Sequence, residues 1–336
     1  MTRLSIRLDR VGVAVAGGLL GLAAAQAAGG SDRFPPIAAA AMATPVTYLP
    51  AWAVLAGAVA TRRPLLAGLA AATCGAHIAL MAPALRPGRG APPVPAAGAD
   101  APTLTVATAN GLYDNTAPGR WGPAVLALDA DVLAVQELSA HVHRALGSAG
   151  VDDRYPHRVV YERERSAGAG LWSRHPLRDV RVVDLGNRDV TNIGIVAVAE
   201  VDGHPVTVVN VHTVAPIDRS RRGAWFASFA ALRRVLDHVE GPVVLLGDWN
   251  ATLHHVTLRR FIAEAALRDA HVECRRGHAA TWPSPGSGRV AHRLIPMVAL
   301  IDRVIVGGPV AVRAVSEHTV PGSDHRAVVA VVALGP

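Results

Sequence analysis

The first chemical signal in this sequence is one short stretch, residues 241–252, which reads GPVVLLGDWNAT. Its apolar run 243–246 is typical of a strand buried on both faces, and the run stops at Gly247. Asp248 and Asn250 follow two residues apart, so an extended backbone points both side chains the same way. A carboxylate and an amide at the carboxyl end of a buried strand indicate a site, because α/β sheets place their sites there. Asp and Asn are also ordinary turn residues, so this stretch alone leaves a plain surface turn open.

Other apolar strands in the sequence also present polar side chains. The strand-end groups are Asn110 after 104–109, Glu137 after 131–136, His212 after 205–211, and Asp324 with His325 before 327–333. Asp302 lies inside the apolar run 300–306, where a charge costs free energy unless it is paired. An ion pair with the neighbouring Arg303 is the simple alternative, but adjacent strand residues point to opposite faces. A lone strand histidine is usually structural, so His212 gains weight only from the other strand-end groups.

The elements that must position these groups are a mixture of strands and helices. Helical patterns cover 118–128, 218–239 with Asp218 as its N-cap, and 256–265. Further short strands are predicted over 157–161, 168–172, 180–184 and 194–201. Asp202 and Gly203 between two alternating runs indicate a hairpin.

Composition limits the kind of surface that surrounds the site. The chain of 336 residues has 33 Arg, no Lys and a formal charge of +7. Residues 1–102 hold 8 Arg and 3 acids, whereas residues 103–336 hold 25 Arg and 23 acids, a net of only +2. The second part is therefore not a strongly basic surface for nucleic acid. Cys74 and Cys274 lie in very different segments without a CxxC partner, so we expect neither a disulfide nor a zinc site.

Three apolar, uncharged runs fill the first 85 residues and predict transmembrane helices over 11–30, 37–60 and 64–83. Pro45 and Pro50 interrupt the second run, which membrane helices tolerate when neighbours satisfy the freed carbonyls. His77 lies in the third run and is assigned no function. Residues 86–102, rich in Pro, Gly and Ala, predict a semi-extended linker. The expected domains are therefore an anchor over 1–85, a linker over 86–102 and a catalytic domain over 103–336.

The arginines predict the orientation of these spans. Arg3, Arg7 and Arg10 precede the first span, and Arg62 with Arg63 separates the second from the third, so both clusters favour the cytoplasmic side. Three spans from a cytoplasmic start place the catalytic domain outside the cytoplasm, attached to the cell membrane. If Ala-Gln-Ala at 25–27 is instead a signal-peptide cleavage site, two spans remain and the domain lies on the same side.

Seven short motifs between residues 103 and 334 resemble those of the endonuclease/exonuclease/phosphatase superfamily, in the same order. This family includes pancreatic-type deoxyribonuclease, apurinic endonucleases, neutral sphingomyelinases and inositol polyphosphate 5-phosphatases. The motifs are TAN at 108–110, QE at 136–137, GAGLWSRHPL at 168–177, NVHT at 210–213, GDWN at 247–250, IDRVIV at 301–306 and SDH at 323–325. One such motif is weak evidence, but seven in order are specific.

The resemblance implies a fold and a cofactor. The fold is a four-layer α/β (α+β) sandwich of two packed mixed β-sheets flanked by helices, here preceded by three N-terminal transmembrane helices. The cofactor is Mg²⁺, with Mn²⁺ as its substitute, which assists attack of water on a phosphoester. Glu137 resembles the principal metal ligand, with Asn110 and Asp324 beside it. Carboxylates and waters are the ligands that Mg²⁺ prefers, so the residue types agree.

The resemblance also implies roles for the other strand-end groups. Asp248 matches the group that orients or deprotonates the attacking water, and Asn250 the group that holds the phosphate or that water. His325 matches the phosphate-binding histidine, and Asp302 the carboxylate that orients it. His212 matches a second histidine of the deoxyribonuclease and sphingomyelinase branches. Either Glu162 or Glu164 could be the carboxylate that pairs with it, and the spacing does not choose between them.

The substrate stays open at this level, and no protein partner is indicated. Nucleic acid, a phospholipid head group, an inositol phosphate or a small phosphodiester all carry the required phosphoester. The tyrosine that apurinic endonucleases place before their Asp-x-Asn motif has no match, and residues 103–336 leave little room for DNA-gripping insertions. A non-catalytic binding module on the same fold is the rival class. That module would have lost its ligands, whereas Glu137, Asp248, Asn250, Asp324 and His325 are all present.

Overall fold

The computed structural model describes residues 3–29, 31–86, 98, 100–288 and 296–335. The chain divides into two compact units, Met1–Leu85 with Thr252–Arg259, and Arg86–Ala251 with Arg260–Pro336. We call the first the N-terminal unit and the second the sheet unit. The predicted linker over 86–102 lies mostly outside the described residues. Thr252–Arg259 directly follows the GDWN motif in sequence, yet its contacts make it part of the N-terminal unit.

Helices with many small side chains build the N-terminal unit. Among the described residues before 86, the α-helices are α1 (Arg3–Ala27), α2 (Pro35–Met42), α3 (Thr44–Thr47), α4 (Leu49–Ala60) and α5 (Pro64–Leu85). Ala16 of α1 and Ala70 of α5 are fully buried. The Thr73 hydroxyl donates to the carbonyl oxygen of Ala16 at 3.0 Å. Small side chains let helix backbones approach closely, and this closeness stabilises their packing.

Two described helices are long and apolar enough to cross a membrane, Asp9–Ala27 within α1 and Pro64–Leu85. The expected middle span over 37–60 is not a single helix, because α2 and the α3–α4 stretch are bent by 91° at their break. Pro45 and Pro50 lie in the first turns of α3 and α4, where the missing N–H costs nothing, so each proline starts a new helix. The described residues therefore give two spans, or three if the bent pair counts as one.

The strands of the sheet unit form two mixed sheets. In chain order they are β1 (Thr103–Asn110), β2 (Val132–Gln136), β3 (His157–Tyr161), β4 (Ala169–Ser173), β5 (Leu177–Gly186), β6 (Thr191–Val201), β7 (His204–His212), β8 (Val243–Asp248), β9 (Arg268–Asp269), β10 (Asp302–Gly307), β11 (Val310–Thr319) and β12 (Arg326–Leu334). One sheet has the order β11-β12-β1-β2-β4-β3, and the other β5-β6-β7-β8-β10-β9.

The remaining described helices lie mostly outside these sheets. They are α6 (Pro118–Leu126), α7 (Ala140–Ser148), α8 (Val151–Arg154), α9 (Arg219–Leu236), α10 (Val256–Glu264) and α11 (Ala270–Glu273). Val106 of β1 packs with Val208 and Leu246 of the other sheet, whereas its neighbour Ala107 packs with Trp121 of α6. Alternate residues of β1 thus face the space between the sheets and the covering helices. The predicted four-layer sandwich of two packed mixed sheets is confirmed.

Most predicted elements occur, and the differences have local causes. Asp218 caps α9 as expected, since its side chain accepts a hydrogen bond from the backbone N–H of Arg221 at 2.8 Å. The sequence did not predict α7 or β11. The charged residues Arg313, which is exposed, and Glu317, which is buried, occur within β11, and they obscure the alternation that marks a half-buried strand.

A buried amide joins the two sheets just below the site. Asn210 of β7 donates to the carbonyl oxygens of Val135 at 3.0 Å and Gly170 at 2.8 Å, which belong to β2 and β4. Its own oxygen accepts from the side chain of Gln136 at 2.7 Å. Gln136 in turn accepts from the Thr108 hydroxyl at 3.1 Å. This chain of hydrogen bonds fixes the separation of the sheets where they carry Glu137 and His212.

Replacing Asn210 with leucine should destabilise the protein by about 3 kcal/mol or more, because several buried groups lose their partners at roughly 1–3 kcal/mol each. Urea unfolding of the detergent-solubilised full chain measures the loss. The double variant with Gln136→Leu should cost less than the two single changes together, since it removes both members of one pair. Strictly additive costs would contradict a bridge between the sheets.

Candidate active site

Strand register alone places three predicted residues side by side. β7 and β8 are parallel, with His212 opposite Asp248. β10 is antiparallel to β8, with Asp302 opposite Asp248. In the other sheet β1 and β2 are parallel and pair Asn110 with Gln136, so Glu137 follows at the same edge. Sites in α/β folds lie at such carboxyl ends of parallel strands.

A glycine is required where β8 reaches the site. Gly247 has a φ of +151°, and a Cβ atom there would lie 1.8 Å from the carbonyl oxygen of Val211. A larger residue would separate the two parallel strands just before His212 and Asp248. The glycine of the GDWN motif therefore sets the position of the aspartate that follows it.

Asn110 connects the two sheets at the bottom of the cleft. Its side-chain nitrogen donates to Glu137 Oε1 at 3.3 Å and to Asp248 Oδ2 at 3.2 Å. Its side-chain oxygen accepts from the backbone N–H of Leu112 at 2.9 Å. The amide thus presents its nitrogen, not its oxygen, to the carboxylates. Glu137 also accepts from the backbone N–H of Tyr113 at 3.1 Å.

Asp248 and Asn250 form one tight loop. Asp248 Oδ1 accepts from the backbone N–H of Asn250 at 2.9 Å, and Asn250 Nδ2 lies 3.3 Å from Asp248 Oδ2. The same amide donates to the carbonyl oxygen of Thr213 at 2.9 Å. Asn250 and Glu137 both have left-handed backbones, with φ of 43° and 55°. Non-glycine residues in that region store strain and cluster at functional sites.

His325 is held between three carboxylates. Its Nδ1 lies 2.9 Å from Asp302 Oδ2, and its Nε2 lies 3.8 Å from Asp248 Oδ2 and 4.0 Å from Asp324 Oδ1. The backbone N–H of Asp302 donates to the hydroxyl oxygen of Thr281 at 3.1 Å. The pairing of Asp302 is thus with His325, and the alternative ion pair with Arg303 does not form, since Arg303 contacts Asp269 at 2.6 Å.

His212 lies in the same cleft, and neither of the two acids expected to orient its ring pairs with it. Its Nε2 is 3.7 Å from Asp248 Oδ2. Glu162, one of the two acids expected behind it, instead contacts His143 Nδ1 at 2.5 Å. Glu164 is exposed. Burial, and then the charge of His325, lower the pKa of His212 to about 3, so this ring is neutral near pH 7.

Burial and neighbouring charges shift the pKa values of Glu137, Asp248 and His325. Burial raises the pKa of Glu137, against the opposing charge of His325. Burial likewise raises the pKa of Asp248 to about 7, again opposed by His325. Burial alone would lower the pKa of His325, but Asp302 and Asp248 outweigh it and hold that pKa well above its ordinary value. His325 is therefore the protonated histidine of the cleft.

The donor set of the cleft fits a hard divalent cation. The four acids Glu137, Asp248, Asp302 and Asp324 surround a single imidazolium, so acidic groups outnumber the basic one. Oxygen ligands of this kind suit Mg²⁺ and Mn²⁺. Asp248, Asp302 and His325 also offer one ligand atom each within 4.8 Å of one another. The structure thus brings all eight predicted site residues into one connected cluster.

Two residues support the site in roles that the sequence did not predict. Thr281 accepts the backbone N–H groups of Ile301 and Asp302, from a loop 21 residues earlier in the chain. Ser323 donates to the carbonyl oxygen of Asn110 at 2.7 Å and so connects the SDH motif to β1. Spacing could not reveal either residue, because both act through backbone groups distant in sequence.

A groove lies beside Glu137 on the surface of the sheet unit. It encloses about 490 Å³ and is lined by Tyr113, Ser139, Ala140, His141, Arg144, Glu162, Arg163, Glu164 and Arg165. The Ser139 hydroxyl donates to the Tyr113 carbonyl at 2.9 Å, and the Tyr113 N–H donates to Glu137. Tyr113 and the three arginines are exposed. Tyr113 therefore contacts Glu137 through its backbone and also lines the groove.

Known proteins match this architecture. A family model described as the Endonuclease/Exonuclease/phosphatase family matches residues 107–325. No curated protein matches the chain significantly. Among solved structures, an endonuclease/exonuclease/phosphatase from Beutenbergia cavernae has 22% identity and a TM-score of 0.53 over 70% of this chain and 72% of that chain. A protein of the same description from Bacteroides vulgatus has 19% identity and a TM-score of 0.56, over 69% and 99%.

A third solved structure is D. rerio TDP2 complexed with a single-strand DNA product. It has 13% identity and a TM-score of 0.53, covering 68% of this chain and 98% of that chain. At these identities the three structures establish the fold alone. The family model spans more than half of the chain and includes every predicted site residue from Asn110 to His325. The chain therefore belongs to the endonuclease/exonuclease/phosphatase family, whose members are generally metal-dependent phosphoester hydrolases.

Proposed function

We propose that this protein is a Mg²⁺-dependent phosphodiesterase or nuclease, in which Mn²⁺ substitutes for Mg²⁺. The single observation that carries the proposal is the Asp302–His325–Asp248 arrangement beside Glu137. It gathers a proton acceptor, a protonated imidazole and a carboxylate suited to a cation in one buried cleft. In the reaction a water oxygen bonds to phosphorus and a water proton passes to a base. The ester P–O bond breaks, and its oxygen leaves with the bonding electron pair and takes up a proton from solvent.

Glu137 and Asp324 are the proposed metal ligands. Burial raises the pKa of Glu137, and the charge of Asp324 raises it further. Asn110 joins them only if its amide turns and gives up the Leu112 hydrogen bond. When bound, the ion supplies positive charge that polarises a phosphoryl oxygen. The group Asp248, Asp302 and His325 suits a cation less well, because His325 is protonated and already bonded to Asp302.

Asp248 is the proposed acceptor of the water proton. A carboxylate with a pKa near 7 balances ionisation against proton affinity at neutral pH. Asn250 fixes this carboxylate through its N–H and its amide, and that amide is also a neutral donor for a phosphate or water beside Asp248. The side chain of Asn250 thereby favours one direction of approach for the water.

His325 is the proposed electrostatic partner of the reacting phosphate. Asp302 accepts its Nδ1–H, so Nε2–H points into the cleft beside Asp248. A charged donor in a dry site stabilises the negative charge that develops on phosphoryl oxygens. His212, being neutral, offers a hydrogen bond but is not a source of protons near pH 7.

The groove beside Glu137 favours nucleic acid among the candidate substrates. An exposed aromatic ring with several arginines suits a single strand, whose bases stack and whose phosphates pair with the cations. The alternative is a phospholipid or inositol phosphate, which the apolar helices of the N-terminal unit favour by bringing the enzyme to a lipid surface. The remaining alternative, a non-catalytic binding module, hydrolyses neither class.

The N-terminal helices are proposed to anchor the protein in the cell membrane as a multi-pass segment, with the sheet unit outside the cytoplasm. Support comes from the two span-length helices and from the arginines at 3, 7 and 10 and at 62 and 63. The charge of Asp9 next to Arg10 does not change this bias, because acidic residues contribute little to it.

The activity test uses the full chain in detergent with single-stranded DNA, RNA, phospholipid vesicles and inositol phosphates as separate substrates. We expect Mg²⁺-dependent cleavage of nucleic acid that EDTA abolishes. Asp248→Asn should lower kcat by about a thousandfold, because base catalysis contributes roughly 10²–10⁴-fold. The exposed loop variant Asp189→Asn is the matched control and should be unchanged. Turnover of lipid substrates alone would support the phospholipid or inositol phosphate alternative. No turnover of any substrate would overturn the proposal that this protein is an enzyme.

The topology test fuses a reporter that is active only outside the cytoplasm to the C-terminal end of the sequence. We expect the reporter to be active, since three spans that begin in the cytoplasm, with the bent pair counted as one, leave the sheet unit outside. Replacing Arg62 and Arg63 with glutamine should lower the fraction of molecules in this orientation, because it removes positive charges that favour the cytoplasmic side. A reporter that is active only in the cytoplasm contradicts the proposed location.

A further inference from the structure

The segment Thr252–Arg259 follows the proposed catalytic loop, Asp248–Asn250, and buries several polar side chains. Thr252, His254 and His255 are 2%, 5% and 1% exposed. Thr252 lies only two residues after Asn250. Buried polar groups are stable when they are hydrogen-bonded, so their partners indicate what the segment contacts.

Those partners are backbone carbonyls of the N-terminal helices, all within the N-terminal unit. The hydrogen bonds are Thr252 Oγ1 to Ala41 O at 3.0 Å, His254 Nδ1 to Leu80 O at 3.0 Å, and His255 Nε2 to Ala38 O at 3.1 Å. Ala41 lies in the last turn of α2, where carbonyls have no donor within their own helix. The segment thus adds side-chain hydrogen bonds to carbonyls of α2 and α5.

His255 also fixes the turn that begins the segment. Its Nδ1 accepts from the backbone N–H of Thr252 at 3.1 Å while its Nε2–H donates to Ala38. Both ring nitrogens are therefore used in one neutral tautomer. Burial lowers the pKa of His255, which favours the same neutral form.

The far end of the segment is held by a buried carboxylate. Asp32 accepts the backbone N–H of Thr257 at 2.7 Å, in the first turn of α10. A carboxylate at a helix N-terminus satisfies an unpaired N–H and interacts favourably with the helix dipole. Helix α10 then continues without a break from Val256 to Glu264, so the segment is fixed at both ends.

The catalytic loop itself needs support from its flanks. Asn250 has a left-handed backbone with a φ of 43°, and such strained residues persist only where their surroundings hold them. On the N-terminal side, β8 provides that support through its pairing with β7 and β10. On the C-terminal side, the next polar anchor along the chain is Thr252.

We infer that the N-terminal helices position the catalytic loop, by holding Thr252–Arg259 and thereby fixing Asp248–Asn250 from the C-terminal side. Thr252 and His255 are positioning residues for the hydrolysis proposed above, on which the inference rests. The helices thus contribute to turnover as well as to anchoring. A segment that serves folding alone would affect stability and leave the turnover of the folded enzyme unchanged.

The test compares Thr252→Val with Thr252→Ser in the full chain, with Thr47→Val as the matched control. Thr47 also donates its hydroxyl to a carbonyl of the N-terminal unit, that of Ala43, but does not touch the segment. Turnover of bis(p-nitrophenyl) phosphate with Mg²⁺ gives kcat and KM. Hydrogen exchange of peptides covering residues 246–252 reports the loop independently of activity. If Thr252→Val does not fold, Asp32→Asn replaces it, because it weakens the other end of the segment.

We expect Thr252→Val to lower kcat by about tenfold or more at nearly constant KM, since small misplacements of reacting groups cost up to about a hundredfold. Exchange at the loop should rise, Thr252→Ser should restore both values, and Thr47→Val should match the wild type. A folded Thr252→Val protein with wild-type kcat and exchange overturns the inference. If the wild type shows no hydrolysis, the proposed function fails, and the exchange comparison alone decides the positioning role.

Discussion

The concentration of acidic side chains in one buried cleft is the constraint on which the sheet unit depends. Asp248 and Asp302 are each 1% exposed, and Glu137 and Asp324 lie beside them. Buried charges of one sign cost several kcal/mol each unless they are compensated. His325 supplies one positive charge, and burial nonetheless raises the pKa values of Glu137 and Asp248. A divalent cation is the compensation that this arrangement fits best.

The fold meets this constraint with rigid strands and local hydrogen bonds. Register across β7, β8 and β10 places the imidazole and two carboxylates in adjacent positions, and Gly247 allows β8 to approach β7 closely there. Asn210 holds the two sheets at a fixed separation, and Asn110 connects the carboxylates of one sheet with those of the other. We infer a further support from the segment after Asn250, whose Thr252 hydroxyl donates to Ala41 within the N-terminal unit.

Sequence reasoning predicted the sandwich and the gathering of the site, because the functional groups lie at the ends of strongly apolar strands or beside them, and strand ends converge at the sites of α/β folds. It could not predict what depends on contacts between distant residues. Glu162 pairs with His143 and not His212, and the Asn110 amide presents its nitrogen to the carboxylates. The hydrogen bond from Thr252 to Ala41 joins residues 211 positions apart. Pro45 and Pro50 indicated an interruption of the middle span, but the bend of 91° between its two parts could not be predicted from the sequence.

Calorimetric titration of the full chain with Mg²⁺ and Mn²⁺ near pH 7 tests the central claim most directly. Run in two buffers of different ionisation enthalpy, it reports both ion binding and proton release. The excess of buried acid predicts saturable binding that releases protons, because the cation ionises carboxyl groups whose pKa values burial has raised. Binding should weaken by at least about tenfold in Glu137→Gln. Absence of saturable binding, or equal binding in the variant, would contradict a metal centre at Glu137.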